Sequence, residues 1–147
     1  MKFKILVLSL VLSFMSVYLM AKGNIAVDQP AIEITMELTD FKFTPNMVEM
    51  ETGKLYKLVL INKGTQKHEI DAPSISHLAY TRKVEITDPK GNFIAEVKGF
   101  PAEMEIGVGQ QVVWYFVPIQ TTDGPVEFVC LLPGHYEAGM HGMIEFK

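Results

Sequence analysis

Near the C-terminus the sequence reads Cys130-Leu-Leu-Pro-Gly-His135-Tyr-Glu-Ala-Gly-Met140, followed directly by His141-Gly142-Met143, and Cys130 is the only cysteine in the chain. One short loop therefore offers a thiolate, an imidazole and a thioether. A soft thiolate and imidazole nitrogens in a trigonal plane, with a weak axial thioether, make the donor set of electron-transfer copper sites. Zinc favours a tetrahedral cage without a thioether, and hard cations favour oxygen. A trigonal plane needs a second imidazole, so the loop predicts an upstream histidine on a neighbouring strand, and His68 is the candidate.

Other residues of chemical interest read more simply. His77 falls in an irregular stretch and His141 beside the axial position, and both are expected to be solvated side chains. Met36, Met47, Met50, Met104 and Met143 are scattered, with Met36 and Met50 on the apolar faces of strand patterns, which suits core filling better than a second metal-collecting site. Glu103 and Glu105 alternate with Met104 and Ile106, as on the solvated face of a strand, and do not form a catalytic pair.

The elements that must position the loop read as strands. Ile32, Ile34, Met36 and Leu38 alternate with polar residues, and Pro45 then turns the chain after Phe41-Lys-Phe43. Val48 and Met50 continue as a short strand. Leu55 to Asn62 is the strongest strand pattern, its Leu58-Val-Leu-Ile61 run implying burial on both faces, and the turn after it delivers His68-Glu69-Ile70. Asp71 to Tyr80 reads as an irregular excursion with one helical turn. Lys83 to Thr87 and Asn92 to Lys98 form a hairpin around Asp88-Pro-Lys-Gly91. Ala102 to Ile106, Gln111 to Val117 with the single Trp114, Val126 to Cys130 and Met143 to Phe146 complete the series. Seven or eight short strands at such spacing predict an all-β Greek-key sandwich or barrel over residues 32–147.

Lys2 and Lys4 precede an apolar run from Ile5 to Met20, a small residue at Ala21 and polar Lys22-Gly-Asn24, the pattern of a secretory signal peptide over residues 1–21. The run is short for a membrane span, which needs about 20 apolar residues, and an uncleaved anchor is the alternative. No cysteine follows the run, against a lipid-modified N-terminus. Residues 22–31 read as a disordered lead-in. Export places the domain in the periplasm or outside the cell, and a lone thiol there is a liability unless something such as a metal occupies it. The 126 residues after Ala21 carry 11 basic and 17 acidic side chains, a net charge of −6. Such a surface does not attract nucleic acid or anionic lipid, and a monomer is expected.

In the order strand, His68, several strands, Cys130, His135, Met140, strand, the sequence resembles the cupredoxins, the small blue copper proteins. The likeness extends over residues 32–147. It rests on Phe41-x-Phe43-x-Pro45, Asn62-x-Gly64 before His68, Gly107-x-Gly109 before the Trp114 strand, and above all Cys130-x-x-Pro133-Gly134-His135-x4-Met140. The resemblance implies one copper per chain, with nitrogen from His68 and His135, a short thiolate bond from Cys130 and a long contact from Met140. It also implies that the His135 edge, with Leu132 and Pro133 nearby, is where electrons leave. One departure is Glu69, which stands where several members carry Asn or Ser tying the two ligand loops together; its carboxylate either acts near the metal or points to solvent.

Two functions compete for such a site. One is a one-electron carrier working with a cytochrome or oxidase. The other is a copper-handling protein acting in tolerance, buffering or sequestration with copper-homeostasis components, since the loop is similar to that of small exported copper-tolerance cupredoxins. An enzyme is disfavoured. Copper oxidases and nitrite reductases need further centres built from His-x-His or similar clusters, and the four histidines here include no such pair. A two-copper centre needs two cysteines, and no Gly-x-Ser-x-Gly or phosphate-cradling glycine loop is present.

Overall fold

Alternating side chains from Ile32 to Thr39 form the first strand, β1, which buries Met36 and Leu38 and turns Glu33 and Thr35 outward. In this computed structural model residues 30–99 and 101–147 are described, and the expected signal segment and nearly all of the lead-in lie outside them. Ten further strands follow: β2 (Lys42–Thr44), β3 (Met47–Met50), β4 (Tyr56–Asn62), β5 (His68–Asp71), β6 (Ala79–Thr87), β7 (Phe93–Val97), β8 (Glu103–Ile106), β9 (Gln111–Pro118), β10 (Val126–Val129) and β11 (His141–Phe146). One helical turn, α1 (Pro73–Ser76), joins β5 to β6, with Pro73 in the first turn where its missing N–H costs nothing.

These strands make two sheets, one in the order β2-β1-β4-β9-β6-β7 and the other β3-β11-β10-β5-β8. Both are mixed, because β1 runs parallel to β4 and β3 parallel to β11. Between them lies one apolar cluster that includes Met36, Leu38, Phe43, Met50, Leu60, Trp114, Phe116, Phe128 and Phe146. β4 is central in its sheet and buries Leu58, Val59 and Leu60 in succession, as its uninterrupted apolar run requires. Trp114 stacks on Phe116 at 4.1 Å and donates its indole N–H to Thr81 at 3.0 Å. Met36 and Met50 fill core space, while Met47 is exposed.

The all-β reading holds, with three differences of detail. There are eleven strands among the described residues, more than the seven or eight expected, several being only three or four residues long. β6 starts at Ala79, four residues before the expected Lys83. Its first inward positions are the small Ala79 and the hydroxyl-bearing Thr81, which carry no apolar signal, and the register shifts between Thr81 and Lys83. β11 starts at His141, before the expected Met143, and runs through Gly142. That glycine pairs with Phe128, and a Cβ there would meet the Phe128 ring and lie 2.7 Å from the Asn46 carbonyl. Glycine is used here for close packing within a strand.

Candidate metal centre

The loop between β10 and β11 is set by its own backbone. Cys130 lies one residue past β10, not within the strand as expected, and its N–H donates to the Met140 carbonyl at 3.0 Å. The Met140 N–H in turn donates to the His135 carbonyl at 2.9 Å. Gly134 and Gly139 adopt φ of 82° and 97°, a region that side chains with a Cβ disfavour, and so let the chain double back between the two paired strands. Three of the four expected donors thus hang from adjacent ends of β10 and β11.

His68 opens β5, the neighbour of β10 in the same sheet. Its approach is shaped by Asn62 at the end of β4. The Asn62 amide donates to the carbonyls of Gln66 and Ile106, both at 2.8 Å, and its oxygen accepts the Gly64 N–H at 2.9 Å. The Asn62 and Gly107-x-Gly109 turns also meet, through the Gly109 N–H on the Asn62 carbonyl at 3.1 Å.

These supports bring the side chains together. His68 Nδ1 lies 3.3 Å from His135 Nδ1, and Cys130 Sγ lies 3.2 Å from the same nitrogen. The donor atoms of His68, Cys130 and His135 all fall within 4.8 Å of one another. Such spacing suits donors that share one ion through bonds of about 2.0–2.3 Å. Cys130, His68 and Met140 are fully buried, and His135 keeps 4% exposure. The Met140 backbone is bonded to both loop donors, and its side chain belongs to the core cluster that also contains Cys130. His77 and His141 stand apart as exposed residues, His141 paired with Glu127 at 2.9 Å.

The electrostatics suit a cation. Burial pushes the Cys130 thiol up, against the pull of the Glu69 and Leu132 backbone amides on its sulfur. Burial also holds the His68 imidazole below its ordinary value, opposed by its bond to Asp40 and reinforced by His135. A thiolate is poorly supported in this enclosure until a positive ion joins it, and an imidazole that resists protonation keeps a lone pair free to bind one.

Three residues around the site were not assigned roles by spacing. Glu69 does not point to solvent: it is 6% exposed, and its carboxylate accepts the Leu131 N–H at 2.7 Å, tying the His68 strand to the Cys130 loop. Asp40, in the turn between β1 and β2, accepts from His68 Nε2 at 3.2 Å. Phe41 beside it sets its ring edge-on to His135, with centroids 5.2 Å apart. Of the expected exit patch, Leu132 is half-buried and Pro133 exposed, while large exposed side chains near by include Phe41, Leu131 and Tyr136. Glu69 could be flagged from its place beside His68, and Phe41 only as part of the Phe41-x-Phe43-x-Pro45 pattern, with no role at the site; nothing in the spacing singles out Asp40.

No family model matches the chain. It is 27% identical over 123 residues to the copper-resistant cuproprotein CopI of Rubrivivax gelatinosus, a match covering 83% of this chain and 69% of that protein. Among solved structures it is similar to dithionite-reduced auracyanin from Roseiflexus castenholzii, with TM-score 0.50 and 17% identity over 80% of this chain and 99% of that one. A multicopper oxidase from Campylobacter jejuni matches with TM-score 0.60 and 12% identity over 82% of this chain, which spans 31% of the oxidase. No described helix is long and apolar enough to cross a membrane. Eleven strands in two mixed sheets, a buried donor cluster at adjacent strand ends and these neighbours agree on one architecture: the chain has the cupredoxin fold.

Proposed function

We propose that this chain is an exported copper protein that holds one copper ion through His68, Cys130, His135 and Met140 and passes single electrons through it. The observation that carries the reading is the convergence of two imidazole nitrogens and the one thiol sulfur in a buried cluster. Copper bound there supplies a one-electron redox couple. The chain's part is to hold the donors still. Cys130 and His135 are fixed through Met140 by two backbone hydrogen bonds, and His68 is fixed between Asp40 and the turn capped by Asn62. Burial keeps water from the sulfur, and donors already in place need little rearrangement when the charge at the site changes. His135, the least enclosed of the three clustered donors, with Phe41 and Leu131 exposed near by, is the side on which a cytochrome or oxidase would dock.

A second reading, copper tolerance by binding or buffering the ion in the periplasm, is favoured by the likeness to a copper-resistant cuproprotein. One pair of measurements separates the two. A carrier cycles reversibly and delivers electrons to a cytochrome, and its deletion leaves copper tolerance unchanged. A handling protein is induced by copper, and its deletion makes cells copper-sensitive.

A further inference from the structure

The turn between β1 and β2 reaches both histidines of the cluster. Asp40 meets His68, and the next residue, Phe41, meets His135. Phe41 has φ of 64°, the left-handed region that a bulky residue without a glycine's freedom rarely enters. Asp40 is itself held. Its Oδ1 accepts the Thr65 N–H at 2.9 Å and its Oδ2 the Thr65 hydroxyl at 2.7 Å, from the loop that leads into His68. The space around this contact is fully used: a Cβ on Gly64 would lie 2.5 Å from both Asp40 Oδ1 and His68 Nε2.

Resting on the copper reading above, we propose that Asp40 is a positioning residue for the metal, a carboxylate that fixes the His68 ring and strengthens its Nδ1 as a donor. An imidazole offers a lone pair at one nitrogen only when the proton sits on the other. His68 Nδ1 faces His135, and Nε2 faces a carboxylate anchored by Thr65, so the proton belongs on Nε2 with Asp40 as its acceptor. A carboxylate in this position draws that proton toward itself, raises the basicity of Nδ1 and favours copper(II) over copper(I). The strained turn is the structural means by which an exposed strand connection reaches a fully buried ring.

The test compares the parent full chain with Asp40→Asn and Asp40→Ala. In the metal-free proteins, nitrogen NMR of the imidazoles reads the His68 tautomer. The parent is expected to carry its proton on Nε2, and Asp40→Ala to show a mixture. With copper added, Asp40→Asn keeps an acceptor but loses the charge, and its copper(II) affinity is expected to fall about tenfold with copper(I) affinity changed less. Each tenfold difference between the two oxidation states raises the reduction potential by about 59 mV. Thermal unfolding of the metal-free variants checks that they are folded. A folded Asp40→Ala protein with the parent's tautomer and the parent's potential would overturn the assignment. A parent protein that forms no thiolate–copper band would overturn the copper reading instead, and that failure is not confined to the Asp40 variants.

Discussion

The carboxylate of Glu69 accepts the backbone N–H of Leu131 at 2.7 Å, joining residues 62 positions apart and locking the strand that begins at His68 to the loop that begins at Cys130. The Glu69 backbone amide also pulls the Cys130 thiol down, against the larger effect of burial. Glu69→Ala should leave the Leu131 N–H without its partner and lower the unfolding free energy of the metal-free protein by about 1.5–3 kcal/mol, while Glu69→Gln, which keeps an acceptor, should lose much less. Urea denaturation of both variants measures this. Equal losses would mean that the charge matters and the bond does not.

Trp114 and Thr81 make a second such tie, inside the core. Their hydrogen bond is buried and joins β9 to the part of β6 that lies before the expected strand start at Lys83. Thr81→Val keeps the volume but orphans the indole N–H, and should cost about 1–3 kcal/mol, followed through the fluorescence of the single tryptophan. An unchanged midpoint would show that the indole finds another partner.

Asp88 links stability to pH. Its carboxylate accepts the Asn92 side-chain amide at 2.7 Å and the backbone N–H groups of Asn92 and Lys90 at 2.8 and 2.9 Å, shaping the turn of the β6–β7 hairpin. These bonds, the Asn92 side chain's first, hold the Asp88 carboxyl below the ordinary aspartate range. A depressed folded-state pKa adds stability that is present above the unfolded value and lost as pH falls through the folded one. Unfolding free energy should therefore decline below about pH 4, and less steeply in Asp88→Asn than in the parent. Parallel acid slopes would contradict this role for the turn.

Much of the fold and the buried cluster of His68, Cys130 and His135 could be read from residue order. Ile32 to Leu38 and Leu55 to Asn62 announce their strands because apolar side chains repeat at the strand period or run unbroken, and burial follows that pattern at Met36, Leu38 and Leu58 to Leu60, while Ile32 at the start of β1 stays exposed. The first residues of β6 and Gly142 in β11 were hidden because their places are set by a partner, Trp114 in one case and Phe128 in the other. The cluster was legible because Cys130 and His135 share one loop, and the distant His68 because the expected trigonal site requires a second imidazole. Asp40 was not legible. It reaches His68 across 28 residues through a turn whose conformation runs against the preference of Phe41, and no local propensity predicts that.

The most direct measurement is titration of the purified metal-free protein with copper(II) while watching for an intense thiolate-to-copper absorption. The band should grow to saturation at one ion per chain, persist in His77→Ala and be absent in Cys130→Ser. A band that survives without Cys130, or a parent protein that never develops one, would contradict the placement of copper among His68, Cys130, His135 and Met140.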